Sequence, residues 1–171
     1  VGVIGLFLGA DTDESEISNN HTGIFKLSDD HGSSWYGGTS GDASLGHATG
    51  ASGDQYYFIP DAAWDDLVAT QFSYEIEDEC AGTTHMLDSF WSYYEDDIKV
   101  DKDGNPHFLI QVLPCDGLEE GFCYYTPEAG LYHFTADRDE LGDADAWSWS
   151  FVMTGDATWS FPDMTGETYI W

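Results

Sequence analysis

The side chains in this sequence that are best suited to chemistry are carboxylates. The chain has 33 Asp and Glu residues against 4 Lys and Arg residues, and its formal net charge is −29. Pairs of carboxylates act as acid and base in glycoside hydrolysis. Among 33 acids some pair falls at a suitable separation by chance. We therefore interpret most of these carboxylates as solvated surface charge.

One acidic segment has the ligand spacing of a calcium loop. Asp101, Asp103 and Asn105 place side-chain oxygens at every second position, as at the start of an EF-hand loop, but the later Gly and bidentate Glu are missing. This pattern predicts either a Ca²⁺ site or an ordinary turn. The 6 histidines are scattered without the spacing of zinc motifs, so we expect no zinc chemistry.

The cysteines number 3, and an odd count argues against a complete disulfide framework. Cys115 and Cys123 flank a short acidic loop, and a bridge between them would constrain the unfolded chain at a gain of about 2–3 kcal/mol. The alternative is that all three thiols are free. The sequence leaves both readings open.

The charge balance excludes several classes of partner. Nucleic acids and anionic membrane surfaces both require a basic face, so we expect neither as a partner. Acidity of this degree has three ordinary causes. They are adaptation to high salt, cation binding by a secreted protein, and an acidic surface for a basic partner. The cations that the sequence offers are Lys26, Lys99, Lys102 and Arg138.

The rest of the composition predicts a single folded domain over residues 1–171. Hydrophobic residues make up 42% of the chain and aromatic residues 16%, which is enough for a core despite the charge. The apolar run at residues 1–10 is too short to span a bilayer, so we expect no membrane insertion. Because the sequence starts without Met, we expect a mature chain or a piece of a longer one.

The elements that must position these side chains are mainly strands. Aromatic and β-branched clusters separated by Gly- and Asp-rich turns predict strands at residues 1–8, 23–27, 55–59, 71–76, 97–100, 107–112, 121–126, 131–135 and 147–153. One helical turn is expected at residues 60–67, and residues 89–94 are ambiguous. Many short strands with regular turns predict an all-β sandwich, barrel or propeller.

One of these turns fits a known motif. The spacing Ser-x-Asp-x-Gly-x-x-Trp is formed by Ser28, Asp30, Gly32 and Trp35. It resembles the Asp box (BNR repeat) of sialidase-like β-propellers, although Ser34 replaces the usual Thr. In that family the Asp box is a folding device remote from the active site. The resemblance implies that Asp30 accepts backbone hydrogen bonds in its own turn and that Trp35 is mostly buried.

A second segment resembles a strand–turn–strand unit of secreted bacterial propellers. A hydrophobic strand ends in Asp101, a Gly-Asn-Pro turn follows at residues 104–106, and the next strand opens with His107. The two resemblances together cover residues 22–38 and 96–153. They imply antiparallel four-stranded blades, about three to four of them, either closed alone or as a segment of a larger propeller. Residues 97–153 are expected to form one such sheet.

The resemblance implies an architecture and no catalytic site. Sialidases clamp a carboxylate with three arginines, and Arg138 is the single arginine here. We therefore expect a non-catalytic binding or scaffolding module of a secreted or cell-surface protein, with other protein chains or polysaccharide as partners. One alternative is part of a propeller glycoside hydrolase whose active site is completed outside this chain. Another is a structural subunit of an extracellular assembly.

Overall fold

The computed structural model describes residues 2–9, 21–50, 52–78, 82–117 and 123–154. Within these residues the chain forms nine strands and one α-helix. The strands are β1 (Gly2–Gly9), β2 (His21–Ser28), β3 (His47–Thr49), β4 (Gln55–Phe58), β5 (Tyr74–Asp78), β6 (Thr83–Val100), β7 (Pro106–Asp116), β8 (Gly130–Ala136) and β9 (Trp147–Thr154). All strand pairs are antiparallel, so the expected all-β, antiparallel fold class is confirmed.

The first sheet has the strand order β1-β2-β4-β3. Strand β2 lies inside this sheet, because it pairs with β1 along its whole length and with β4 at Ile24 and Phe25. Phe25 and Leu27 are each 1% exposed, whereas Lys26 between them reaches solvent. Because successive side chains point to opposite faces and Ile24 and Ser28 are buried as well, the described part of β2 is covered on both faces apart from Lys26.

The second sheet is a meander with the order β5-β6-β7-β8-β9. The turn between β6 and β7 forms at Gly104. Its φ is +92°, a conformation that glycine adopts without a steric penalty because it has no Cβ. Strand β8 shows the cleanest alternation, with Tyr132 and Phe134 buried and His133 and Thr135 on the outer face. Apolar side chains at every second position therefore fix which face of this sheet meets the core.

This sheet confirms one sequence expectation and corrects others. Residues 97–153 supply four neighbouring antiparallel strands, as expected, and β5, which lies outside that range, adds a fifth. The ambiguous residues 89–94 lie inside β6, which is 18 residues long. The strand expected at 121–126 is reduced, in the described residues, to an isolated bridge between Cys115 and Cys123, and residues 124–126 are irregular.

The helical segment covers one end of the core. Helix α1 (Asp61–Leu67) begins after Pro60 and continues as a π-helix over Val68–Phe72. Trp64, Leu67 and Phe72 are all buried. The start of the strand expected at 71–76 is therefore helical, because Phe72 packs edge-on against Tyr132, with ring centroids 5.9 Å apart.

The core lies between the two sheets and α1. Phe25 of the first sheet meets Phe108 of the second, with ring centroids 5.3 Å apart. Trp64 stacks on Phe90 at 4.5 Å and an interplanar angle of 5°. Full burial of a side chain of this size contributes roughly 1.5–3 kcal/mol relative to exposure. These aromatic contacts hold the two sheets in one hydrophobic cluster.

Candidate functional site

The Asp-box turn is held by the side chains of its own sequence. The backbone N–H of Ser34 donates to Oδ1 of Asp30 at 2.8 Å, and the Ser34 hydroxyl donates to Oδ2 at 2.7 Å. The Ser28 hydroxyl donates to Oδ1 at 2.9 Å and accepts the Gly32 N–H at 2.7 Å. These bonds, those from Ser34 first, hold the pKa of Asp30 at about 2.

Trp35 is mostly buried, as the motif implies, with a smaller part of its surface left exposed. Its indole packs over Gly32, where an added Cβ would lie 3.4 Å from the ring. Gly32 has a φ of +86°, a conformation that glycine adopts without strain. The hydrogen bonds to Asp30 and the burial of Trp35 therefore both agree with the Asp-box expectation.

The Asp101 turn is likewise closed by its own carboxylate. Oδ1 of Asp101 accepts the N–H groups of Asp103 at 2.8 Å and Asn105 at 3.0 Å, and Oδ2 accepts from the Asn105 amide at 3.1 Å. These bonds, with the Asn105 N–H first, hold the pKa of Asp101 at about 2. A cation at this turn would have to compete with them. Among the described residues, no group of three or more His, Cys, Asp or Glu side chains is placed to hold a metal.

Arg138 joins these two turns. Its Nη2 donates to Oδ1 of Asp29 at 2.7 Å and to the Tyr36 hydroxyl at 2.8 Å, and that hydroxyl donates to Oδ2 of Asp29 at 2.8 Å. The backbone N–H of Arg138 donates to Oδ1 of Asn105 at 3.0 Å. We call Asp29, Tyr36 and Arg138 the Arg138 junction. It connects the Asp-box turn of the first sheet to the segment between β8 and β9.

The junction combines an exposed ring with fixed charges. Tyr36 is 38% exposed, while the Arg138 side chain is 19% exposed. The guanidinium lowers the pKa of Asp29, and Asp29 in turn raises the pKa of Arg138. Burial, followed by the hydrogen bond to Asp29, raises the pKa of the Tyr36 phenol. The phenol is therefore neutral at physiological pH, and its ring is held in one orientation.

Sequence reasoning missed this junction. The sequence shows Arg138 as its single arginine, and no motif in it points to Asp29 or Tyr36. The contact pairs residues 109 positions apart. The one indication in the sequence is that a single arginine stands among 33 acidic residues. An arginine that becomes partly buried must pair with an acceptor, so an ion pair with one of these acids could have been predicted, but not which one.

All four basic side chains form ion pairs with carboxylates. Lys26 lies 3.1 Å from Asp54 and Lys99 lies 3.2 Å from Asp97. Lys102 contacts its neighbour Asp103, and Arg138 belongs to the junction. In the described part of the chain, each lysine and the arginine therefore lies beside a carboxylate on an anionic surface.

Four of the 6 histidines lie in three separate hydrogen-bonded groups. Nδ1 of His107 on β7 lies 2.8 Å from Nε2 of His133 on β8. The Asp101 carboxylate lies 3.5 Å from Nε2 of His107, too far for a good hydrogen bond. Burial, and then the nearby His107, lowers the pKa of His133. His133 therefore takes up a proton less readily than an ordinary histidine.

A second group links β6 to β7. His85 Nδ1 lies 3.1 Å from Oδ2 of Asp116, whose side chain is 2% exposed, and His85 Nε2 lies 2.9 Å from the Thr83 hydroxyl. A third group is centred on His47 of β3, whose Nε2 lies 3.3 Å from the Leu141 carbonyl in the segment between β8 and β9. There Nδ1 of His47 lies 2.6 Å from the Ser40 hydroxyl. No sequence motif marks either group, because each depends on strand register or on a contact between distant segments.

The structure joins Cys115 and Cys123 in a disulfide. Cys115 is buried at the end of β7, and the bridge links it to a residue 8 positions later. Cys80 lies outside the described residues. A disulfide of this kind persists in oxidising compartments.

An open cavity of about 330 Å³ lies between α1 and β6. Two carboxylates, Asp65 and Asp88, line it together with the ring of Phe90. Oδ1 of Asp88 already accepts the Gly117 N–H at 2.8 Å. That hydrogen bond gives this carboxylate a structural role at the end of β7.

No helix of the described residues is long and apolar enough to cross a membrane.

Comparison with known proteins identifies no relative of this chain. No protein-family model, curated protein or solved structure matches it.

Proposed function

We propose that this chain is a non-catalytic binding or scaffolding segment of a secreted or cell-surface protein of the Asp-box β-propeller type. The observation that carries the proposal is the Arg138 junction. It connects Asp29 of the Asp-box turn with Asn105 of the Gly-Asn-Pro turn, the two motifs on which the resemblance rests. The Cys115–Cys123 disulfide supports the extracellular location.

The ligand class that best fits the junction is a neutral polysaccharide. Sugar rings stack on exposed aromatic faces and bond to carboxylate and guanidinium groups beside them, and Tyr36, Asp29 and Arg138 supply all three. The net charge of −29 repels anionic polysaccharides. Tyr36 thus provides the platform, and Arg138 keeps its ring in place.

Affinity gel electrophoresis with neutral and anionic polysaccharides tests this proposal. Migration of the full chain should slow in at least one neutral gel and in no anionic gel. Tyr36→Ala should abolish the shift, whereas Tyr36→Phe should keep most of it because the ring remains. Tyr125→Ala is the matched control, since Tyr125 is also exposed, at 47%. Equal retardation of wild type and Tyr36→Ala would contradict the proposal.

A second candidate, a structural subunit, is favoured by strand β9. Phe151, Val152 and Met153 are consecutive apolar residues with exposures of 42%, 50% and 46%. Strand β9 contains no charged residue in an otherwise acidic chain. Assembly through this strand should grow with salt, because screening weakens the repulsion between copies. Sedimentation at low and high NaCl distinguishes this role, which needs no small ligand, from polysaccharide binding.

A further inference from the structure

The geometry points to a reactive serine: we infer that Ser40 is a nucleophile, activated by His47, that accepts an acyl or phosphonyl group from an activated ester or fluorophosphonate. The inference is independent of the polysaccharide role proposed above. It rests on a hydroxyl–imidazole–carbonyl arrangement that joins β3 to the segment between β8 and β9. Nucleophilic serines are recognised by such geometry rather than by sequence position.

The hydroxyl and the imidazole are within close hydrogen-bonding distance. Oγ of Ser40 lies 2.6 Å from Nδ1 of His47. Ser40 is exposed, so an electrophile can reach it, whereas His47 is only 8% exposed. A solvent-facing hydroxyl paired with a buried base is the arrangement that general-base activation requires.

The tautomer of His47 follows from its other partner. Nε2 lies 3.3 Å from the carbonyl oxygen of Leu141, which can only accept a hydrogen bond. Nε2 therefore carries the hydrogen, and Nδ1 has the lone pair that faces Ser40. The carbonyl of Leu141 takes the orienting role that a carboxylate takes in a Ser-His-Asp triad.

The surroundings hold the imidazole in position. A Cβ added at Gly38 would lie 2.2 Å from the His47 ring, so the backbone of Gly38 is in direct contact with it. The Tyr57 ring packs edge-on against the imidazole, with centroids 5.3 Å apart. A ring enclosed in this way cannot turn away from Ser40 without moving the backbone.

The loop around Ser40 also stabilises negative charge on the oxygen. The backbone N–H of Asp42 donates to Oγ of Ser40 at 3.2 Å. Gly41 between them has a φ of +64°, the left-handed conformation that glycine adopts without strain. A donor aimed at the oxygen lowers the cost of forming an alkoxide as the proton leaves.

The transfer balances with these groups alone. Oγ of Ser40 attacks the carbonyl carbon of the ester while Nδ1 of His47 takes the hydroxyl proton. The bond to the leaving alkoxide then breaks, the proton passes to that oxygen, and the acyl group stays on Ser40. With a fluorophosphonate the P–F bond breaks instead, fluoride leaves with the proton, and the serine stays labelled. The step modifies the chain once and includes no turnover, so it is compatible with a non-catalytic role.

Labelling of the full chain with a fluorophosphonate tests the inference, with the site mapped by peptide mass spectrometry. Native protein should be labelled at Ser40 roughly 100-fold faster than heat-denatured protein. Ser40→Ala should remove the label. Ser52→Ala is the matched control, because Ser52 is exposed and its hydroxyl donates to the Asp54 carboxylate at 2.7 Å instead of to an imidazole.

Two further measurements test the role of His47 as the base and check that the Ser40→Ala variant is folded. Replacing buried His47 risks unfolding, so the role of the base is read from the native chain, whose labelling rate should fall in D₂O because general-base catalysis moves the hydroxyl proton during the attack. Circular dichroism melts of Ser40→Ala should match wild type, which separates lost reactivity from lost structure. Labelling at Thr83, the hydroxyl beside His85, or equal rates for native and denatured chain, would overturn the inference.

Discussion

Arg138 and Asp29 are 109 residues apart in the chain, yet Nη2 of Arg138 lies 2.7 Å from Oδ1 of Asp29. This ion pair connects the Asp-box turn of the first sheet with the segment that follows β8 in the second. The core already holds the sheets together through aromatic side chains. The role of the pair is therefore to fix the two turns relative to each other at the surface.

Replacing Arg138 by Ala should loosen this surface and destabilise the fold moderately. Charge-assisted hydrogen bonds contribute about 1.5–3 kcal/mol when buried, and solvent at Asp29 screens part of that, so we expect a loss of about 1–2 kcal/mol. Urea unfolding measures it. Lys102→Ala is the control, since the Lys102 side chain is 86% exposed beside Asp103 and should contribute almost nothing. Equal losses in the two variants would show that Arg138 has no specific role.

Asp30 should make stability depend on acid pH. Its pKa in the folded chain is about 2, below the ordinary 3.8. A lowered carboxyl pKa stabilises the fold above pH 3.8, and that contribution disappears as pH falls through about 2. Asp30→Asn should therefore melt at a lower temperature than wild type at neutral pH, with a gap that closes in acid. Asp145→Asn, at another exposed turn, should show no such gap.

His133 should produce a second dependence in a different pH window. Burial and His107 hold its pKa below the ordinary 6.5, so the unfolded chain takes up a proton before the native chain does. Stability should therefore fall as pH drops below 6.5, and His133→Gln should remove this slope. Urea unfolding between pH 7.5 and about 5.5 stays above the range where carboxylates titrate. An unchanged slope in the variant would contradict the pairing.

The sequence was informative where burial follows a local period. Apolar residues such as Tyr132 and Phe134 alternate with polar ones and predict a strand at residues 131–135. Strand β8 covers this range, Gly130–Ala136. The Asp-box turn was readable for the same reason, since Asp30 bonds to residues within four positions of it. Such local patterns need no knowledge of the rest of the fold.

Local patterns were misleading where distant contacts decide the structure. Phe72, Tyr74 and Ile76 alternate like a strand, yet Phe72 ends a helix because its ring packs against Tyr132. Of strand β6 the sequence predicts only residues 97–100 and leaves residues 89–94 ambiguous, whereas in the structure both lie in one strand of 18 residues that pairs with β7. The Ser40–His47 pair had no local signal, since His47 is oriented by a carbonyl 94 positions away.

The Cys115–Cys123 disulfide should leave one thiol per chain. Of the 3 cysteines, one should react with a thiol reagent in denaturant without reductant, and all three after reduction. The double replacement of Cys115 and Cys123 by Ser should cost about 2–3 kcal/mol, because the unfolded chain regains the freedom of a small loop. Three reactive thiols before reduction would mean that no disulfide forms.

The net charge of −29 should make stability depend on salt. The four cations are already paired, so the remaining carboxylates repel one another in the folded chain. Screening weakens this repulsion, and the Debye length falls to about 8 Å at physiological ionic strength. The melting temperature should therefore rise steeply between low salt and that concentration. A melt unaffected by salt would indicate that a bound partner already neutralises the charge.

Melts in NaCl, MgCl₂ and CaCl₂ at matched ionic strength separate screening from a specific Ca²⁺ site. Ca²⁺ that binds the folded chain at Asp101, Asp103 and Asn105 adds stability beyond screening, because binding favours the native state. It must first displace the hydrogen bonds that Asp101 accepts from Asp103 and Asn105. We therefore expect at most a small excess in CaCl₂ at millimolar concentration, and Asp103→Asn should remove it. Identical melting curves in the three salts would show that the acidic residues serve only to solvate the surface. Residues 101–105 would then be an ordinary turn without a Ca²⁺ site.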